Sequence, residues 1–148
     1  GLDGNAKMGK SLGNAIYLSD SEEEIQRKVM SAVTDPKKIK KDDKADPEIC
    51  MVGYYHKLFS GDDKDKIFEE CREGKRGCVN CKKELAKNIS KYLEPIREKR
   101  KYYEARPELV EELLKKGTLK ARKRAQETLA KVKEAMKINY FDEIKKEK

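Results

Sequence analysis

Residues 78–106 read CVNCKKELAKNISKYLEPIREKRKYYEAR, and their periodicity sets the fold class. Leu85, Ile89, Leu93 and Ile96 recur at helical steps, which puts them on one face of an α-helix with Tyr92 beside them. Pro95 falls inside this pattern and has no N–H for the Lys91 carbonyl, so a kink is expected there. The same spacing appears on both sides. Ser19-Asp20-Ser21 ahead of Glu22-Glu23-Glu24 supplies a cap and an acidic first turn, predicting a helix from 22 to about 33 with Ile25, Val29, Ala32 and Val33 on its inner face. Asp46-Pro47 pairs an N-cap with a proline at the first helical position and predicts a helix to Phe59. A short helix is expected over 63–72, followed by a basic loop framed by Gly74 and Gly77. Pro107 opens another short helix that Gly117 should stop, and Thr118 can cap a last helix carrying Ala125, Leu129, Val132 and Met136. No segment alternates with period two. The expected fold is all-α, a helical bundle of about five or six helices behind a Gly-rich loop over residues 1–18. Gly1, Gly4, Gly9 and Gly13 make that loop mobile in expectation, with a short extended piece at 15–18.

Composition narrows the function classes. The chain has 148 residues, 36% of them hydrophobic and 43% charged, with 36 Lys+Arg against 28 Asp+Glu and a net charge of +8. No apolar run approaches the roughly 18 residues of a membrane span. The N-terminal residues offer no apolar signal-peptide core, which leads to an expected cytoplasmic location. Four cysteines in a reducing compartment suit ligand roles better than disulfides. The basic surplus points to a polyanionic partner.

Cys50, Cys71, Cys78 and Cys81 give the spacing C-x20-C-x6-C-x2-C. Cys78-Val79-Asn80-Cys81 sits at a helix start, where free N–H groups and the dipole favour thiolates. Arg72, Lys75, Arg76, Lys82 and Lys83 surround the set and would offset its charge. Three readings remain open on the residues: four unlinked thiols, a structural zinc site, or a [4Fe–4S] cluster.

Gly4-Asn5-Ala6-Lys7-Met8-Gly9-Lys10-Ser11 matches the Walker A pattern, but a P-loop needs a strand before it and a helix after it. Lys7-Met8-Gly9-Lys10-Ser11 followed by Leu12-Gly13-Asn14 resembles instead the KMSKS loop of class I aminoacyl-tRNA synthetases. Ala32-Val33-Thr34-Asp35-Pro36 and Leu93-Glu94-Pro95-Ile96-Arg97-Glu98 are similar to segments of the bacterial-type tryptophanyl-tRNA synthetases, as is the approach Gly1-Leu2-Asp3-Gly4. The resemblance covers essentially the whole chain. Gly9 departs from it, standing where Ser is common and removing a hydroxyl.

The resemblance implies a C-terminal part of such a ligase. Residues 1–18 would be the loop that ends the catalytic domain, and 19–148 a helical anticodon-binding domain. It implies ATP and tryptophan as substrates of the whole enzyme and tRNA(Trp) as partner. Lys10, then Lys7, would stabilise the leaving pyrophosphate, and Lys7, Met8, Gly9, Lys10 and Ser11 would bind ATP. It also implies a [4Fe–4S] cluster on the four cysteines, with zinc as alternative, and a homodimeric whole enzyme whose fragment is a monomer. His56 is the single histidine, so no H-x-G-H nucleotide motif exists here, and no β/α alternation occurs. The chain alone is therefore expected to be inactive.

Lys120, Arg122, Lys123 and Arg124, expected near a helix N-terminus where the dipole disfavours cations, invite a phosphate-binding role. Arg100, Tyr102, Tyr103 and Arg106 could stack on and ion-pair with an anticodon loop. The alternatives are an independent helical module binding metal and nucleic acid, and a P-loop nucleotidase.

Overall fold

The computed structural model describes residues 1–138. Its elements are a 3-10 turn at Lys10–Leu12 and five α-helices: α1 (Glu22–Met30), α2 (Met51–Phe59), α3 (Asp63–Arg72), α4 (Cys78–Glu104) and α5 (Pro107–Ala135). No strand occurs among the described residues, so the all-α expectation holds. The chain divides into two compact units, Gly1–Arg100 and Lys101–Lys148.

The core of the first unit is Leu2, Ile25, Val29, Ala32, Val52, Tyr55, Leu85, Ala86, Ile89 and Leu93. Leu85, Ile89 and Leu93 are the α4 stripe read from the sequence, while Ile96 at its end is 38% exposed. Helix α1 begins with a capping box: Ser21 Oγ accepts from Glu24 N and the Glu24 carboxylate accepts from Ser21 N. It ends at Met30, short of the expected Val33. The Val33 N–H leaves the helix to pair with the Leu2 carbonyl at 2.8 Å, and Lys82 from α4 donates to the Met30 carbonyl at 2.9 Å. A cation on the last turn also suits the helix dipole.

Helix α2 starts at Met51, several residues after the expected Asp46-Pro47 opening. Asp46 does not cap a helix. Its N–H donates to Asp35 Oδ2 at 2.8 Å, and its Oδ1 accepts from Glu48 N at 2.9 Å, which closes a turn. Asp35 Oδ1 accepts from Lys37 N at 2.9 Å, so one buried carboxylate ties both ends of the 35–46 loop. The Asp46 and Lys37 amides, in that order, hold the Asp35 carboxyl below the usual carboxylate range. Gly74 (φ +78°) lets this loop cross the α3–α4 turn, since a Cβ there would stand 2.2 Å from the Asp42 carbonyl oxygen.

Helix α3 matches the expected 63–72. Helix α4 runs unbroken through Pro95. Beside that position, Arg97 Nη2 donates to the Ser90 carbonyl and hydroxyl at 3.0 and 2.9 Å.

In the second unit, the short helix, stop and new helix expected around Gly117 are one helix, α5. Gly117 keeps a right-handed backbone, since it is absent from the positive-φ glycines. A helical glycine costs only about 1 kcal/mol against alanine, and good helix formers on both sides outweigh it. The pairs Glu111–Lys115 and Glu112–Lys116, at 2.7 and 2.6 Å, support the turn leading into it.

A Cβ at Gly117 would meet nothing within 4 Å. Gly117→Ala should therefore stabilise α5 by up to about 1 kcal/mol, read as slower amide exchange over 113–125. A destabilised helix would return Gly117 to the role of a helix end.

Candidate functional site

The 1–20 segment carries more fixed structure than a mobile loop. The 3-10 turn Lys10–Leu12 closes through Leu12 N to the Gly9 carbonyl at 3.1 Å and Gly13 N to the Lys10 carbonyl at 3.3 Å. Gly13 ends it in the left-handed region at φ +65°, where glycine carries no Cβ penalty. Asn14, 4% exposed, spans the turn from beneath. Its Oδ1 accepts from Gly9 N at 3.0 Å, and its Nδ2 donates to the Lys7 carbonyl at 3.0 Å and to Asp3 Oδ1 at 2.9 Å. Its backbone carbonyl accepts from Leu2 N at 3.0 Å. Lys7, Met8, Lys10 and Ser11 all sit exposed on the outside of this arch, with Gly9 partly covered. Residues 15–17 form no regular element and lead into a turn at 18–19, with Asp20 Oδ2 accepting from Tyr17 N at 2.8 Å and Lys28 pairing with Asp20 at 2.5 Å. A P-loop lacks its downstream context: a left-handed glycine, not a helix, follows the turn.

The four cysteines come together from three helices. Cys50 is the N-cap of α2, outside the helix in which it was expected. Cys71 lies in the last turn of α3, and Cys78 and Cys81 lie in the first turn of α4. All four, unpaired as thiols, line one cavity together with Asp35, Lys38 and Arg76. Burial raises the Cys71 thiol and pushes that of Cys81 up to about 12. Among the described residues, however, no three His, Cys, Asp or Glu side chains group closely enough to hold a metal ion. The compact tetrahedral set that zinc requires, with sulfurs about 2.3 Å from one ion, is thus not formed by Cys50, Cys71, Cys78 and Cys81. Cys81 Sγ instead stands 3.3 Å from His56 Nε2.

The sequence alone gives the single histidine, His56, no role. His56 is completely buried, with Nδ1 2.6 Å from Ser60 Oγ and Nε2 3.2 Å from the Cys81 carbonyl. A carbonyl only accepts, so the tautomer that satisfies it carries its proton on Nε2, and Nδ1 accepts from the Ser60 hydroxyl. Ser60 Oγ accepts in turn from Asn88 Nδ2 at 3.0 Å. Burial keeps His56 below its ordinary pKa, hence neutral at neutral pH. The legible signal was a lone histidine on the inner face of a helix, four positions before Ser60. Nearby, Arg76 is clamped by Glu70 and Glu84, through Nη2 at 2.7 Å and Nη1 at 2.5 Å.

The basic candidates fall on both units. Arg100 lies in α4, in the first unit. In the second, Tyr102 and Tyr103 meet edge to face at 5.2 Å, and the Arg106 guanidinium lies 4.0 Å from the Tyr102 ring centre while donating to the Tyr102 carbonyl. One face of Tyr102 is therefore already covered by a cation. Lys120, Arg122, Lys123 and Arg124 are exposed well inside α5, not at a helix N-terminus as expected, because Gly117 does not break the helix. The dipole argument for a misplaced charge set therefore lapses. Lys120, Lys123 and Arg124 share one face by their spacing, and Arg122 lies off it.

Comparison with known proteins sets these features in context. The family model described as tRNA synthetases class I (W and Y) matches residues 1–94. The chain is 48% identical over 140 residues to the tryptophan–tRNA ligase of Aquifex aeolicus (strain VF5), covering 93% of this chain and 35% of that protein. It is 45% identical over 145 residues to the tryptophan–tRNA ligase of Streptococcus mutans, covering 95% of this chain and 43% of that protein. The tryptophanyl-tRNA synthetase of Campylobacter jejuni, solved with ADP and tryptophan, superposes with a TM-score of 0.81 at 32% identity, over 93% of this chain and 43% of that one. The chain thus spans well under half the length of these relatives. No helix among the described residues is long and apolar enough to cross a membrane.

Proposed function

The chain belongs to the class I tRNA synthetases (W and Y), and from that membership we propose that it is the C-terminal part of a tryptophan–tRNA ligase. The observation that carries this reading is the arch over 7–13, which presents two lysines outward on one turn. The bound ADP and tryptophan of the Campylobacter jejuni relative support ATP and tryptophan as substrates. We assign residues 1–18 to the end of a catalytic domain and 19–148 to a helical anticodon-binding domain. The whole enzyme is a cytoplasmic homodimer on this reading, and the chain by itself is inactive.

In the reaction, the tryptophan carboxylate attacks the α-phosphorus of ATP, tryptophanyl-adenylate forms, and pyrophosphate leaves with the bonding pair. Negative charge grows on the leaving oxygens. The Lys10 ammonium, assisted by Lys7, meets that charge as the loop closes, and the N–H groups at Met8 and Ser11 can donate to phosphate oxygens. The Gly9 N–H is occupied by Asn14 and is not available for this. The tryptophanyl group then passes to the end of tRNA(Trp), held through Lys120, Lys123 and Arg124 on α5, with Arg122, Arg100, Tyr102, Tyr103 and Arg106 as further contacts.

We assign Cys50, Cys71, Cys78 and Cys81, which line one cavity, to a [4Fe–4S] cluster, which takes one sulfur per iron. When bound it would add a fixed link between α2, α3 and α4 rather than redox chemistry. Arg76 and Lys38 on the cavity wall supply compensating charge, and the neutral His56 directs an N–H at Cys81.

In the full-length ligase, Lys10→Ala should slow adenylate formation by the equivalent of about 2–4 kcal/mol in ATP–pyrophosphate exchange, with tryptophan binding little changed. Equal loss in rate and binding would remove Lys10 from this role. Reversing Lys120, Lys123 and Arg124 to Glu should weaken tRNA(Trp) binding and reduce the log–log salt slope by about one unit per lost contact, whereas an unchanged slope would make this face a solvated surface. Anaerobic reconstitution with iron and sulfide should give a broad absorption near roughly 400 nm that Cys71→Ser abolishes, with the α5 helix still folded. A wild-type chain that stays colourless would leave the four residues as free thiols.

A further inference from the structure

We infer that Asn14 is the positioning residue of the lysine loop: one buried side-chain amide ties Asp3, Lys7 and Gly9 together and sets the turn on which Lys10 is presented. The inference rests on the reading of residues 7–11 as the ATP-phosphate loop and assigns a role within it to a residue that touches neither ATP nor tryptophan.

The valence of the amide is fully used. A primary amide offers two N–H donors and one carbonyl acceptor. In Asn14 one proton goes to Asp3 Oδ1, the other to the Lys7 carbonyl, and the oxygen accepts from Gly9 N, at 2.9, 3.0 and 3.0 Å. Asp3 is itself fixed, since Asn5 Nδ2 donates to its other oxygen at 2.6 Å and Asn5 N to Oδ1 at 3.1 Å. The N–H that Asn14 donates holds the Asp3 carboxyl below the usual carboxylate range, which keeps it charged as an acceptor. From Gly9 the order passes directly to Lys10, because the Gly9 carbonyl accepts from Leu12 N and the Lys10 carbonyl from Gly13 N. On the other side, Asn14 is anchored through its own carbonyl to Leu2 N, and Leu2 is a core residue. Asn14 is thus the point through which the folded body reaches the loop.

No other side chain satisfies these demands. Aspartate has the same shape but no donors, and it would face the Asp3 carboxylate. Alanine leaves the Lys7 carbonyl and the Gly9 N–H without partners. Glutamine is one methylene too long for a site 4% exposed.

The test is ATP–pyrophosphate exchange by the full-length ligase, with Lys10→Ala as reference, alongside amide exchange at Gly9. Asn14→Ala should lower kcat by roughly tenfold or more through misplacement of Lys10, leave KM for tryptophan unchanged, and abolish protection of the Gly9 amide. Asn14→Asp should lose more than Asn14→Ala. Adding Asp3→Asn to Asn14→Asp restores a donor facing an acceptor between positions 3 and 14 and should recover part of kcat. A kcat equal to wild type in Asn14→Ala, with Lys10→Ala crippled, overturns the positioning role alone. Silence of both variants overturns the loop reading and this role with it. A fall in kcat that tracks a lowered melting temperature and gains nothing from Asp3→Asn also overturns it, by reducing Asn14 to a fold residue.

Discussion

Leu2 is the constraint on which the arrangement of this chain depends. It lies second in the sequence, yet its side chain is in the core with Ile25, Val29, Leu85 and Ile89. Burying such a side chain favours folding by about 1.5–3 kcal/mol, enough to hold an otherwise Gly-rich segment against the body. Both of its backbone polar groups are then used: the carbonyl accepts from Val33 N and the N–H donates to the Asn14 carbonyl. One buried residue thereby decides where α1 stops and where the lysine loop begins. If the core around Leu85 and Ile89 loosened, the loop would lose its base before any residue of the loop itself had changed.

What could be read from the sequence was whatever is encoded within a turn or two of the chain. The capping box at Ser21, the apolar stripe of α4 from Leu85 to Leu93 and the bounds of α3 all depend on near neighbours, and all appear as expected. The start of α2 does not. Asp46-Pro47 carries every local sign of a helix opening, but the Asp46 N–H is claimed by Asp35, a partner eleven positions back that local reasoning cannot see. Pro47 is then held against α2, where Gly53 alone leaves room: a Cβ at 53 would sit 2.1 Å from the Pro47 carbonyl oxygen. Gly117 shows the opposite error. A glycine signals an end only if the chain adopts a left-handed conformation there, and the sequence shows the residue but not the dihedral.

The candidate site divides along the same line. The spacing of Cys78 and Cys81 and the run Lys7-Met8-Gly9-Lys10-Ser11 are local patterns and were legible. The convergence of Cys50 and Cys71 on the same cavity depends on the 35–46 loop, which Asp35 closes and Gly74 admits. His56 was invisible as a functional neighbour because its partners lie at Ser60, on its own helix end, and Cys81, on another helix. With Cys81 raised by burial, the N–H that His56 turns toward it is the kind of contact that favours a charged or metal-bound sulfur over a neutral thiol.

Gly9 brings these strands together. The family pattern commonly has serine there, and nothing in the backbone forbids it. Gly9 is extended at φ −163° and ψ 153°, a conformation open to any residue, and a Cβ would meet only Leu12 side-chain atoms at 3.9 Å. Glycine is therefore not demanded by geometry, and its effect is to widen the unfolded ensemble of the loop at a cost in order. The Asn14 side chain acts at this very position, its Oδ1 accepting the Gly9 N–H. Freedom added by the missing side chain is offset by a hydrogen bond to the main chain, which survives any substitution other than proline. A loop built this way depends for its resting shape on position 14 more than on position 9. That distribution leaves Lys10 exposed and able to move while its point of attachment stays fixed.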